Sequence, residues 1–153
     1  MIQRLSACGA LLAALALAVP AGAGVTPYCP PTPNSVGPGA ELIWRGPSDP
    51  AHAQLLASGL PAHAPLMYVY GTFKSQTPFG SGQLCVGPPA FILARSAADA
   101  AGKASLHIAD EGETEDVRWL VSGLLGGANF QVLYRDSAGA TMNTSGALEV
   151  VFE

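Results

Sequence analysis

Short apolar runs, rich in branched and aromatic residues, recur about every ten residues, and residues that favour turns separate them. In the last run, Leu148, Val150 and Phe152 would share one face of a strand. Glu149, Val151 and Glu153 would share the opposite face, as in an antiparallel strand between a core and water. The pattern predicts an all-β fold, a single antiparallel β-sandwich of immunoglobulin-like or jelly-roll-like type with short hairpin turns. The predicted strands cover residues 41–44, 66–73, 83–86, 90–94, 103–109, 129–135 and 147–152.

Two segments fit the strand pattern less clearly. Residues 49–59 begin with Asp49 and Pro50, which are signals for the start of a helix. The same segment also alternates as a strand would, and we favour the strand because a lone helix is inconsistent with an otherwise all-β pattern. Residues 117–125 fit either a strand or a helical turn, since periodicity does not decide between them at that length.

Turn residues predict how some of the strands are joined. Residues 99–103, DAAGK, and 135–139, RDSAG, have Asp and Gly where tight turns favour them, and we interpret both as hairpin connections. The glycines of residues 80–82, GSG, are superficially similar to a phosphate-binding loop. Such a loop precedes a helix and normally a lysine, whereas the strand-like sequence QLCV follows here, so we predict a turn.

The first 23 residues have the three parts of a secretory signal peptide. Arg4 supplies a positive charge, residues 10–19 are apolar, and residues 21–23 are the small residues of a cleavage site. The apolar run is about half of the roughly 20 residues that a membrane-spanning helix needs, and no later run is long enough, so we expect no membrane span in the mature protein. The predicted location is extracellular, periplasmic or at the cell surface.

Cleavage after the signal peptide leaves about 130 residues, which suffice for one domain with a single core. We divide the chain into the signal peptide (1–23), an extended lead-in rich in proline and glycine (24–40) and a β-sandwich domain (41–153). Of the seven Lys and Arg residues, six remain once Arg4 is removed, against eleven Asp and Glu residues. This balance excludes a large basic patch that follows phosphates, and we expect no nucleic-acid partner.

Cys29 and Cys85 remain after cleavage, because Cys8 leaves with the signal peptide. An even number of cysteines in an exported chain favours a disulfide. The sequence neighbours of Cys85 are apolar residues and glycines, which would not activate a thiol as a nucleophile. We therefore predict a Cys29–Cys85 disulfide, with free thiols or bridges between molecules as the alternatives.

Several short motifs occur together in order along the chain. They are NSVG (34–37), ASGLP (57–61), PFGSGQLCVG (78–87), ADAAGKASL (98–106), NFQVLYRD (129–136) and MNTSGALEVVF (142–152). Together they resemble an uncharacterised class of secreted bacterial β-domains with NSxG, PFGxGxLC, FQxxYRD and C-terminal strand motifs. The resemblance implies a β-domain that stands alone behind a signal peptide or ends a larger exported protein, and it implies no catalytic residue. Leu133 stands where the class typically has a tryptophan, so any role of that tryptophan is absent.

Aromatic and acidic side chains form two candidate ligand sites. Tyr68 and Tyr70 would lie on the same side of a regular strand and form a carbohydrate-binding face if that side met solvent, whereas core packing is the usual role of such rings. An acidic loop is a candidate for weak cation binding, although it lacks the spacing of an EF-hand, and a solvated loop is the simpler interpretation. The loop residues are Asp110, Glu111, Glu113, Glu115 and Asp116.

No set of residues in the sequence stands out as catalytic or metal-binding. His52, His63 and His107 lack the spacing of a metal pair, and the chain has no GxSxG motif. We therefore predict no metal, no cofactor and no catalytic residue. The predicted function is that of a secreted or envelope-associated, non-catalytic module with a structural or interaction role, whose partner is a cell-surface or extracellular protein or polysaccharide. The alternatives are a carbohydrate-binding module that uses exposed aromatic rings and, less favoured, a secreted hydrolase or metalloenzyme.

Overall fold

The structure, a computed structural model, describes residues 24–111, 126–136 and 141–152. Nine strands within these residues form two antiparallel sheets that pack face to face, which confirms the predicted all-β sandwich. In the same residues, no helix is long and apolar enough to cross a membrane. The strands are β1 (Val25–Cys29), β2 (Glu41–Arg45), β3 (Gln54–Ser58), β4 (Pro65–Phe79), β5 (Gly82–Ala97), β6 (Ala104–His107), β7 (Gly127–Asp136), β8 (Thr141–Thr144) and β9 (Ala147–Val151).

The two sheets differ in size. The larger sheet has the strand order β1-β9-β7-β4-β5, and β8 pairs with the far end of β7. The smaller sheet has the strand order β2-β3-β6. Because β1 pairs with β9, the segment rich in proline and glycine supplies an edge strand of the larger sheet before the chain crosses to the smaller one.

The core lies between the sheets because apolar side chains alternate with polar ones along the strands. In β2, Leu42 and Trp44 are buried, whereas the positions on either side of them are exposed. In β9, Leu148 and Val150 are buried as the alternation predicts. The rings of Trp44 and Phe130 bridge the two sheets, with their centroids 5.4 Å apart.

Residues 49–59 contain a short helical turn followed by a strand. A 3-10 helix (Pro50–His52) begins after Asp49, whose carboxylate accepts the backbone N–H of Ala51 at 2.9 Å. Strand β3 follows almost immediately, with Leu55 buried on the core side. The strand interpretation is confirmed for β3, and the helix signals account for the single turn before it.

Strands β4 and β5 are longer than the predicted runs. Residues 83–86 and 90–94 belong to one continuous strand, β5, so the prediction of two strands separated by a turn is wrong. The hairpin bends near Gly71, where a Cβ atom would come within 2.9 Å of Gly87 O. Beyond the bend, the far half of the β4–β5 hairpin (residues 72–87) lies over the outer face of β7 and β8. Near its tip, Ser81 N donates to Met142 O at 2.9 Å.

A second apolar cluster lies beneath the far half of this hairpin, on the side of the larger sheet that faces away from the core. The predicted GSG turn forms the tip of the hairpin, between Phe79 and Gly82. The cluster gives the larger sheet buried side chains on both faces, which simple alternation does not predict. Its members are Val69, Val86 and Leu133, with Met67, Phe79, Leu84 and Met142 packed against them.

The predicted turn at 99–103 forms, but it connects the two sheets. The Asp99 carboxylate accepts the backbone N–H groups of Ala101 at 2.8 Å and Lys103 at 2.9 Å, and Gly102 has a φ of +69°. Since β5 pairs with β4 and β6 pairs with β3, the hairpin interpretation of this turn is wrong. The strands β7 and β8 do pair across the other predicted connection, although its residues 137–140 and the segment 117–125 lie outside the described residues.

Candidate functional site

Cys29 and Cys85 form the predicted disulfide. It ties the end of β1 to the bent half of β5, with Cα atoms 6.4 Å apart, a usual separation for disulfides. Cys85 is 0% exposed and Cys29 is 5% exposed. The pair is structural, and Cys85 is no free nucleophile.

Gln131, whose role the sequence analysis missed, holds the far half of the β4–β5 hairpin on the sheet. Its side chain is fully buried on the outer face of β7. The amide oxygen accepts Cys85 N at 2.9 Å, and the amide nitrogen donates to Gln83 O and Ser145 O, both at 2.9 Å. A glutamine within an apolar strand run was the available signal, because a buried polar side chain requires partners.

Polar residues from the other motifs also make hydrogen bonds that join distant segments. Asn34 Nδ2 donates to the Tyr134 hydroxyl at 3.0 Å, and Ser35 N donates to Asp136 Oδ2 at 2.9 Å. Asn143 Nδ2 donates to a backbone carbonyl of the lead-in, that of Pro33, at 3.1 Å. These motif residues therefore fasten the lead-in to the larger sheet, which is a structural role.

Tyr68 and Tyr70 form no exposed ligand face. They are 0% and 2% exposed, because their side of β4 faces the smaller sheet across the core. Tyr70 packs against Phe91, with ring centroids 5.5 Å apart, and burial raises the pKa of Tyr68 to about 12. The prediction of a carbohydrate-binding face at these two residues is therefore corrected to a core position.

The acidic loop lies largely outside the described residues. Asp110 and Glu111 end a 3-10 helix (Ile108–Glu111), and the structure does not describe Glu113, Glu115 and Asp116. In the part of the chain that is described, no three His, Cys, Asp or Glu side chains come together as metal ligands.

The three histidines have different surroundings. His52 Nδ1 lies 2.6 Å from Asp49 Oδ2, within the turn before β3. His107 Nε2 lies 3.2 Å from the Gln54 side chain, across β3 and β6. His63 adopts a φ of 58° in the loop before β4. They do not form a common site.

An open groove of about 720 Å³ lies on the outer face of the smaller sheet, and we call it the outer-face groove. Strand pairing places Ile43 opposite Leu56, and Leu56 opposite Ser105, as a row across its floor. Ile43 is 47% exposed and Leu56 is partly exposed, so this row offers apolar surface to solvent. The end of β5 and the 99–103 turn form one wall.

The charged side chains that line the outer-face groove are Arg45, Lys103 and Asp99. Asp99 already accepts two backbone N–H groups within its own turn. Across the described residues, neither Arg45 nor Lys103 has an ion-pair partner. The groove therefore carries two basic groups that no described acidic side chain pairs with, although the chain as a whole carries a formal charge of −4. Their proximity is not evident in the sequence, because it follows from strand pairing between distant segments.

Comparison with known proteins assigns the chain to no family. No protein-family model, no curated protein and no solved structure matches it. A function for the outer-face groove must therefore be inferred from its own shape, exposure and charge.

Proposed function

We propose that the mature protein is an exported, non-catalytic interaction module, secreted or held at the cell envelope, that binds its partner in the outer-face groove. Export is supported by the signal-peptide pattern of residues 1–23. It is also supported by the Cys29–Cys85 disulfide, since disulfides persist mainly outside the reducing cytoplasm.

The main observation in favour of this binding site is the partly exposed apolar row on the floor of a concave surface. Ile43 and Leu56 lie at its centre, with polar and charged side chains around them. A concave surface that exposes apolar side chains beside polar ones is a usual place for a binding site. The floor is built on strands whose opposite sides, including Leu42 and Leu55, are buried in the core, so the site is held by the rigid part of the fold.

Carbohydrate binding through exposed aromatic rings, the alternative function, has less support. Tyr68 and Tyr70 are buried, and the described lining of the outer-face groove contains no aromatic side chain. Sugar binding on β-sandwiches ordinarily uses such rings as stacking surfaces. The groove therefore favours a protein partner over a polysaccharide.

The test is an amide chemical-shift titration of the isotope-labelled mature protein with separated secreted, peptidoglycan and membrane fractions of the source cells. We expect one fraction to shift the signals of Ile43, Leu56 and Ser105. The variant Ser105→Tyr fills the groove and should abolish those shifts, whereas Thr72→Tyr, at an exposed position of the β4–β5 hairpin, should leave them unchanged. Shifts confined to another surface, or full binding by Ser105→Tyr, would contradict the proposal.

A further inference from the structure

We infer that the outer-face groove binds an extended acidic peptide segment with two carboxylates four residues apart and an apolar side chain midway between them. The inference rests on the proposed function, because it names the partner class of the same groove. It follows from the position of two basic groups that pair with no described acidic side chain, the apolar row between them and the periodicity of an extended chain.

Arg45 and Lys103 lie at opposite corners of the floor. Arg45 is directly opposite Gln54 at one end of β3. Lys103 precedes Ala104, which pairs with Ala57 near the other end of β3. The two basic residues are thus separated by about 13 Å along the strands and by two strand spacings, about 10 Å, across them. A ligand that meets both charges must carry two separate anionic groups.

The middle of the groove requires an apolar group. Ile43 and Leu56 lie in the row between the two basic corners, and both keep apolar surface exposed. Burial of that surface favours binding by about 25 cal/mol for each Å² removed from water. A small dianion without an apolar centre would leave this row exposed.

The diagonal between the two basic corners is about 16 Å at the backbone, from about 13 Å along the strands and about 10 Å across them. An extended peptide has its first and fifth residues about 13 Å apart, and its first, third and fifth side chains point to the same side. The flexible side chains of Arg45, Lys103 and two glutamates span the remaining distance of about 3 Å. An acidic residue, an apolar residue and a second acidic residue at alternate positions would therefore all face the floor. Ser58, Ser96 and Ser105 line the groove and offer hydroxyl groups to the backbone of such a peptide.

The probe is the capped peptide Glu-Ser-Val-Ser-Glu, titrated into the isotope-labelled mature protein. We expect shifts at Ile43, Leu56 and Ser105 and a dissociation constant at least about tenfold lower than that of Lys-Ser-Val-Ser-Lys. Glu-Val-Ser-Ser-Glu should bind more weakly, because its valine points away from the groove when both glutamates face it. Added salt should weaken binding, because it screens exposed ion pairs.

Variants of the protein test the two corners separately. Arg45→Gln and Lys103→Gln should each weaken binding of the acidic peptide about fivefold. Arg135→Gln is the matched control, because Arg135 is exposed on the larger sheet, and it should leave the affinity unchanged.

Different failures have different meanings. If the acidic peptide causes no shifts, or the lysine peptide binds as well, the inference is overturned. If sodium polygalacturonate shifts the groove signals and the peptide does not, the groove is a binding site but its partner is not an acidic peptide. If the peptide shifts only signals elsewhere in the protein, the inference is overturned, whereas the proposed function of the groove is decided by the titration with cell fractions.

Discussion

Gln131 satisfies three backbone groups with one buried side chain, and its loss should therefore be costly. Gln131→Leu would leave Cys85 N–H and the carbonyls of Gln83 and Ser145 without this partner. Two of these groups, Cys85 N–H and the Ser145 carbonyl, are buried. Each unsatisfied buried group costs about 1–3 kcal/mol, so we expect the free energy of unfolding to fall by about 2 kcal/mol or more in urea titrations. Gln76→Leu, at an exposed position of the same hairpin, should change it by less than about 0.5 kcal/mol. Equal losses would contradict the role of Gln131.

Tyr68 has a buried hydroxyl with no hydrogen-bond partner in the described part of the chain. Burial raises its pKa from 10.0 to about 12, so the unfolded chain ionises first as the pH rises. The stability that comes from keeping the Tyr68 hydroxyl protonated in the folded state is fully present below pH 10. It is lost between pH 10 and 12, where the free energy of unfolding should decline. Tyr68→Phe should keep or raise stability at pH 7 and make that decline shallower.

Urea unfolding of the wild type and of Tyr68→Phe at pH 7, 10 and 11 measures the stability at neutral pH and its decline at high pH. Part of the decline should remain in Tyr68→Phe, because burial and the nearby Glu149 raise the pKa of Tyr28 to about 12 as well. A loss of more than about 1 kcal/mol at pH 7 would show that the Tyr68 hydroxyl has a partner after all.

Among the elements, the 99–103 turn depends on Gly102. Its φ of +69° and the Leu60 carbonyl oxygen beside it leave no room for a Cβ atom. Gly102→Ala should lower the free energy of unfolding by at least about 2 kcal/mol, because it strains the connection between the sheets. Gly37→Ala is the matched control, since a Cβ atom there meets nothing within 4 Å. Thermal unfolding of the two variants side by side checks the difference, and a similar melting temperature for both would refute it.

The sequence predicts individual strands better than their connections. Alternation in β2, β3 and β9 is a local property with a period of two, so buried positions such as Leu55 and Val150 can be read from it. The bend in the β4–β5 hairpin depends on how Gly71 meets a segment more than a dozen residues away. Which strands pair is likewise set by long-range contacts, and for that reason the sequence does not show that the 99–103 turn connects the two sheets.

The candidate site was less predictable than the fold. The aromatic rings of Tyr68 and Tyr70 indicate a possible ligand face, but a sequence does not show which face of a strand meets the core. Arg45 and Lys103 lie 58 positions apart in the sequence and share a groove only through the pairing of β2, β3 and β6. The disulfide was predictable because an even number of cysteines behind a predicted signal peptide favours one bond.

For the whole molecule, the Cys29–Cys85 disulfide should contribute a large share of stability. It links residues 56 positions apart, and the chain-entropy model gives such a loop about 4 kcal/mol. Against a usual total of about 5–15 kcal/mol, the variant with both Cys29→Ser and Cys85→Ser should melt at a clearly lower temperature. Wild-type protein in reducing agent should match the variant under the same conditions. Unchanged melting in both samples would contradict the expectation.

Because the far half of the β4–β5 hairpin covers the outer face of the larger sheet, the two outer faces of the sandwich should differ in how well they tolerate substitutions. On the larger sheet, a substitution at an outward position such as Leu133 or Gln131 disturbs a packed cluster or a hydrogen-bonded amide. On the smaller sheet, outward positions such as Ile43 and Ser105 lie on the open groove floor. We therefore expect substitutions on the groove floor to cost little folding stability, and substitutions beneath the hairpin to cost much more.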